Sequence, residues 1–334
     1  MAQTRSQVLD THYSSTLKHV DKEVVDQFFE KYTTIDEFRR SFLQTVTGGG
    51  SAIEVKLQTS GNNQAASFSG MDVLTKQRIN PIESAEYNRR YYFCPMILAD
   101  TDSWENSGAE KVFDEMENLR DIAMDALLKV LNEDVYSAQA GKNILGFQDL
   151  IADAAGATIG GVDSSVTTVW DNQRSTTATT FLTQTVTNVF NGIDLWNDLL
   201  DLIMIQKGSS KGKIFTTWSI NKAYRVALSS QGYARTDVND AKGVGGNLSP
   251  PFYGYQPFPD NDCTALHSYF VSGSSKRDAG INMHVMSNVN FKKTPFVSLQ
   301  SNAQLAELAY LVVGVQFTTK RRRQNAVATA LTGT

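Results

Sequence analysis

The chain has 334 residues, 41% of them hydrophobic and 20% charged, enough for one large domain or two smaller ones with buried cores. A formal charge of −4 and a pI near 5.6 exclude a general electrostatic pull toward nucleic acid or anionic lipid. Two cysteines, Cys94 and Cys263, exclude a disulfide framework and suit a reducing compartment, while the polar start and short apolar runs fit neither a secretory signal nor a membrane span.

Residues 1–50 read as a polar arm whose amphipathic segment, Asp21 to Leu43, precedes the helix-breaking Gly48-Gly49-Gly50-Ser51. The pattern then turns to alternation. AIEVKLQ and RRYYFCPMIL are β-rich, and the polar TSGNNQAASFSG lies between them, which predicts an extended hairpin over residues 51–100. An isolated two-stranded ribbon is marginal in water, so this one needs a partner surface, in this chain or another. A long helix is predicted from Ala109 to Tyr136, with apolar residues at three- and four-residue steps from Phe113 to Leu131. Its first turns carry Glu110, Asp114, Glu115 and Glu117, where the helix dipole favours negative charge. At 1.5 Å per residue it would run roughly 40 Å, the length of a structural backbone rather than a connector.

Residues 145–172, LGFQDLIADAAGATIGGVDSSVTTVWDN, follow an apolar run with Gly156, Gly160 and Gly161, glycines suited to positive-φ turns. A Ser/Thr-rich loop from Ser164 to Thr180 leads to a second helix, Thr185 to Gln206. KIFTTW, Lys213 to Trp218, reads as a strand, and SINKAYRVAL as a short helix capped by Ser219. PPFYGYQPFPD reads as a stiff irregular connection, and HSYFVS, INMHVM and LAYLVVGVQFTT as closing strands. The order specifies an α+β architecture with unusual extensions.

Sites for chemistry do not assemble from these residues. The glycines of GATIGG lack the lysine and hydroxyl of a phosphate loop and the spacing of a dinucleotide fingerprint. Gly208-Ser209-Ser210-Lys211-Gly212 matches GxSxG, and a serine hydrolase using Ser210 is the enzyme alternative. A nucleophile elbow has a strand before the serine and a helix after it, whereas here the expected order is reversed. His12, His19, His267 and His284 form no HExxH, and the lone cysteines complete no zinc signature, so neither metal nor cofactor is expected. His12 and His19 read as exposed, His267 and His284 as strand or surface residues, and Asp153 and Asp163 as turn-bridging acids. The basic run Lys320-Arg321-Arg322-Arg323 lacks interleaved aromatics and reads as forming salt bridges to acids of a neighbouring subunit rather than binding nucleic acid.

Taken in order, these segments resemble the major capsid proteins of tailed bacteriophages, with their Hong Kong 97-type fold. QVLDTHYSSTL through FEKYTTIDEFRR is similar to the family's N-terminal arm (1–50). SAIEVKLQ, ASFSGMDVL and ESAEYNRRYYFCPMIL resemble its extended hairpin loop (51–100), with Phe68-Ser69-Gly70 at the turn and Glu86-Tyr87 on the return strand. ENSGAEKVFDEMENLRDIAMDALLKVLNEDVYS is similar to the spine helix of the peripheral domain (101–144). LGFQDLIADA, TIGGVDSS and VWDN resemble the GLxxLIxD, GGIDRS and WRN segments that enter the axial domain (145–290), and the final strands (291–334) return to both domains. Ser164-Ser165 and Asp171 depart from the pattern's Arg-Ser pair and central Trp-Arg-Asn arginine.

The resemblance implies a non-enzymatic coat subunit that forms hexamers and pentamers in a closed icosahedral shell around double-stranded DNA, assembled in the host cytoplasm. It also implies a separate scaffolding protein, a portal protein, an optional decoration or cement protein, and only weak, sequence-independent contact with the packaged DNA. The retained Met1 suggests no N-terminal cleavage, and no Lys, Asn and Glu set matches the covalent cross-link of one branch. Lys56, Lys76, Arg78, Arg89 and Arg90 are expected to meet acids of an adjacent spine helix, with Phe68, Gly70, Arg321 and Arg322 at further subunit contacts. Gly156, Gly160, Gly161 and Trp170 are expected to form a structural corner between spine helix and axial domain. An encapsulin-like compartment shell is the alternative within the same fold.

Overall fold

A computed structural model describes residues 32–61, 64–74, 80–99, 115–184, 189–230, 250–299 and 305–333. The expectations for the arm up to residue 31, for the start of the long helix, and for Lys76, Arg78, His12 and His19 lie outside these residues. The chain divides into two compact units, one of residues 1–30, 94–126 and 293–311, the other of residues 31–93, 127–292 and 312–334.

Most of the described chain belongs to the second unit, whose core is built on a mixed five-stranded sheet. Its strand order is β10 (Tyr255–Pro259), β9 (Gly212–Thr216), β11 (Ser268–Ser272), β16 (Ala326–Ala328) and β7 (Gln173–Ser175). The β10–β9 and β16–β7 pairs are parallel, and the two pairs between them are antiparallel. Successive side chains of a strand point to opposite faces, so each strand feeds two packing layers. Ile214 and Phe270 join one layer, formed with helices α4 (Asn191–Ile205) and α5 (Trp218–Ser230) around Trp196 and Tyr224. Their neighbours Phe215 and Tyr269 face the other way. There Phe38 of α1 (Thr33–Ser41) lies 5.5 Å from Phe215 and 5.1 Å from Phe317, and Phe147 of α3 (Phe147–Leu150) 5.2 Å from Tyr269.

A second sheet runs β1 (Leu43–Val46), β12 (Ile281–Met286), β15 (Ala306–Thr319) and β13 (Lys292–Lys293), with β4 (Arg90–Ala99) and β14 (Val297–Ser298) also pairing with β15. The last seven residues of β15, Val313 to Thr319, are all buried. Helix α2 (Glu115–Tyr136) buries Ala123, Leu127, Leu131 and Val135, one residue per turn on one face.

Four expectations need correction. The hairpin's return strand is β3 (Ile82–Asn88), which pairs with β2 (Ala52–Gln58), while RRYYFCPMIL forms β4 and pairs with β15. β3 buries only Ala85 and Tyr87, so its polar composition hides its alternation. PPFYGYQPFPD contains β10, where Pro257 and Pro259 are tolerated because β10 is a sheet edge and its missing N–H groups leave no ladder bond unmade. α5 begins at Trp218, so Ser219 lies inside it and Thr217 rather than Ser219 is its cap, its Oγ1 accepting from the Ile220 amide at 3.4 Å. The second helix begins at Asn191 rather than Thr185, after an isolated bridge between Gln184 and Phe190.

Candidate functional site

The glycine-rich corner is assembled around one buried arginine. Arg322 lies in a single 3-10 turn between β15 and β16 and is fully buried. Its Nε donates to the Leu150 carbonyl at 3.1 Å, its Nη1 to those of Ala157 (3.3 Å) and Trp170 (3.1 Å), and its Nη2 to that of Asp149 (3.3 Å). Each of these carbonyls belongs to the 145–172 stretch, so a planar fork of donors gathers a loop that has little regular structure of its own. Burial pulls the guanidinium's pKa down, and Asp171 and Asp149 oppose that pull. Asp171 in turn pairs with Arg174 at 2.5 Å.

Within this corner Trp170 is buried and donates from Nε1 to the Ile159 carbonyl at 3.3 Å. Gly156, Gly160 and Gly161 have φ of 83°, 62° and 83°, as turns in left-handed backbone require. Gly160 also meets the hairpin: its carbonyl accepts from the Glu86 amide at 2.9 Å, and a Cβ there would come within 2.8 Å of the Ala85 Cβ. Asp163 accepts from the Ser165 hydroxyl at 2.7 Å and amide at 2.8 Å, and those two bonds hold its pKa low. This is the turn-bridging role expected of it.

The hairpin ends in a loop with unburied apolar side chains. Phe68 is 68% exposed, and Met71 and Val73 are each 97% exposed. Ser69 and Asp72 close the turn reciprocally: the Ser69 amide donates to Asp72 Oδ2 at 2.7 Å, and the Asp72 amide to the Ser69 carbonyl at 2.9 Å. Gly70 has no heavy atom within 4 Å of where its Cβ would stand. Burying any one of these side chains against a partner surface would contribute about 1.5–3 kcal/mol.

Among the described residues no catalytic constellation assembles. Ser210 sits in the turn between α4 and β9, helix before and strand after, the reverse of a nucleophile elbow. His267 has both ring nitrogens occupied, Nε2 by Asp153 (2.9 Å) and Nδ1 by the Ala265 carbonyl (2.6 Å). An open cleft of about 460 Å³ is lined by Gln44, Thr45, Lys276, Arg277 and Lys320, cationic and without a general base. Among the described residues no group of three or more His, Cys, Asp or Glu could hold a metal, and no helix is long and apolar enough to cross a membrane.

No protein-family model matches the sequence, and no curated relative does. Solved structures do match, along nearly the whole of both chains. The capsid of cyanophage A-1(L) superposes with a TM-score of 0.69 at 14% identity, covering 95% of this chain and 98% of that one. The capsid of the native GTA particle gives 0.63 at 11%, covering 98% and 99%. The SrpI encapsulin of Synechococcus elongatus PCC 7942 gives 0.62 at 9%, covering 100% and 98%. The chain has the Hong Kong 97-type capsid fold.

On the Hong Kong 97-type fold the expected site residues divide. Lys56 on β2 is exposed, as are Phe68 and Gly70 at the hairpin tip and Arg321 after β15. Arg322 is not a subunit contact. It is a buried internal clamp, because the turn between two buried strands points one of its side chains inward. Arg89 spends its Nη2 on the Gly48 (2.9 Å) and Gly49 (3.0 Å) carbonyls of its own chain, and Arg90 is half-buried beside it. Two buried polar sites lay beyond the sequence reading. Asp260 accepts from Thr34 Oγ1 at 2.8 Å, from the Thr34 amide at 3.0 Å and from Asn132 Nδ2 at 3.0 Å, tying α1 and α2 to the end of β10. Lys213 of β9 pairs with Glu37 of α1 and stands over the rings of Phe42 and Phe258. The available signals were a lysine inside the strand KIFTTW and an acid on the apolar face of α1; only the fold brings them together.

Proposed function

We propose that this chain is the major capsid protein of a tailed bacteriophage, assembling through hexamers and pentamers into the icosahedral head that encloses double-stranded DNA. The observation that carries the reading is the end-to-end match to phage-type capsids, at 95–99% coverage of both chains for the two cited above and 92% or better for cyanophage P-SCSP1u. The hairpin tip supports it independently. Exposed Met71 and Val73 are a liability for a monomer and a resource for a subunit that lies across a neighbour, where obligate contacts bury about 2,000–5,000 Å². The role is structural rather than enzymatic. Residues 1–50 serve as arm, 51–100 as hairpin, 101–144 as peripheral domain, 145–290 as axial domain and 291–334 as returning strands.

The partners of this role are copies of the chain, a separate scaffolding protein, a portal and, in some heads, a decoration protein. DNA is held weakly, in keeping with the chain's net negative charge. An encapsulin-like shell is the second reading, favoured by the full-length match to the SrpI encapsulin. Expression together with the flanking genes, followed by negative-stain microscopy and nuclease treatment, tests both. Closed shells protecting DNA support the capsid, shells enclosing a protein cargo support the encapsulin, and a small soluble oligomer overturns both.

A further inference from the structure

We propose that α4 and α5 are the two halves of a charge-matched contact between neighbouring copies of this chain, the acidic face of α4 in one copy seating against the basic face of α5 in the next. The inference rests on the shell-subunit reading and names surfaces that the fold likeness does not. Both helices cover the same face of the five-stranded sheet, α4 packing on β16 and β7 and α5 on β10, at opposite ends of the strand order. One chain therefore presents the two surfaces at opposite ends of one layer, the arrangement a head-to-tail contact needs in order to repeat.

The charges are segregated. On α4, Asp194, Asp198 and Asp201 follow at four- and three-residue steps, opposite the buried Trp196, Leu199 and Ile203, and the helix carries no Lys or Arg. Like charges at this spacing weaken an isolated helix, so the stripe works against the free subunit unless something neutralises it. On α5, Lys222 and Arg225 lie on the face turned from the core, and the helix carries no acid. None of these five groups is in an ion pair among the described residues, and Arg225 Nε is buried with no hydrogen-bond partner. Apolar area accompanies each stripe: Ile205 is 71% exposed at the end of α4 and Trp218 42% exposed at the start of α5. A tryptophan anchor with a charged rim is the composition of a protein contact, and the charges set register and partner choice.

The test reverses each stripe in the full chain, under the conditions in which the unaltered chain assembles. One variant carries Asp194→Lys, Asp198→Lys and Asp201→Lys, a second carries Lys222→Glu and Arg225→Glu, and a third combines all five. Circular dichroism checks folding, and sedimentation with microscopy measures assembly. Each single set is expected to lower the yield of rings and shells by roughly tenfold or more, and the combined variant to recover most of it. An equal mixture of the two single sets is expected to recover six-membered but not five-membered rings, since strict alternation closes only even rings. Normal assembly of either single set, or a folded combined variant that stays unassembled, overturns the contact. If a multiple reversal fails to fold, Asp198→Lys and Lys222→Glu carry the same comparison as single exposed substitutions. An unaltered chain that never assembles beside its flanking genes defeats the shell reading itself, whereas indifferent variants of an assembling chain defeat only this contact.

Discussion

Four carbonyl oxygens converge on Arg322, and no other side chain type could hold them in that plane. Arg322→Lys keeps the charge but supplies a point donor in place of a fork, so it should destabilise the subunit by about 3 kcal/mol or more in urea denaturation, while Arg321→Ala stays within about 0.5 kcal/mol. Nothing in the run Lys320 to Arg323 marks one cation out of four as internal. Arg321 and Arg323 are exposed, and only the path of β15 into β16 turns Arg322 inward. His284 offers a pH readout. It is buried in β12 with Nε2 on Thr318 Oγ1 at 2.9 Å, and burial, helped by Lys320, pulls its pKa down to about 4. The unfolded imidazole takes up its proton near pH 6.5, so between pH 6.5 and 4 the unfolded state binds more protons and stability falls as pH falls. The loss over that window should reach about 3 kcal/mol and flatten in His284→Gln, measured by denaturant midpoints across pH.

Elements were legible where burial followed a single period. α2, α4, β11 and β12 lie within the segments expected for them, and β9 and β15 begin one and two residues before theirs, because each buries one face or both faces over most of its length. β10 was not, and β3 was placed only through the family resemblance, which set Glu86-Tyr87 on the return strand; the periodicity of each fails for an opposite reason. β3 is too polar to betray its two buried residues, and β10 carries two prolines that only an edge position excuses. The corner was legible as a set of turns, yet its contact with the hairpin was not. Gly160 and Gly161 look alike in sequence, but only Gly160 abuts Ala85. Both have positive φ, so Gly161→Ala should cost about 1 kcal/mol from backbone strain alone. Gly160→Ala must also push β3 away, and its loss should be about twice as large; paired urea titrations read the difference.

At the scale of the whole chain, the sequence carried the family likeness through ordered motifs, and the fold agrees with it from end to end. What it could not carry is which surfaces remain for a neighbour, because exposure is decided only after the chain has satisfied its own polar groups. Arg89 illustrates this: a cation assigned to a partner is bound to Gly48 and Gly49 at home. Residues 65–74 of the hairpin loop are the reverse case, exposed throughout. Protease should therefore cut the free subunit first between Thr59 and Pro81, and the same bonds should resist cleavage in assembled shells; equal cutting in both states would remove the hairpin from the set of assembly surfaces.

Pro257 and Pro259 have a meaning beyond their own strand. Every open sheet has an outer strand on which another chain can template itself, and in the shell proposed above many identical sheets would share a small volume. On β10 the two prolines withhold amide hydrogens at alternate positions, so an incoming strand finds an interrupted ladder along this edge of the sheet. Crowding is thereby made safe. In the proposed shell, copies meet through side chains, and the β10 edge, which would otherwise join them indiscriminately, is closed.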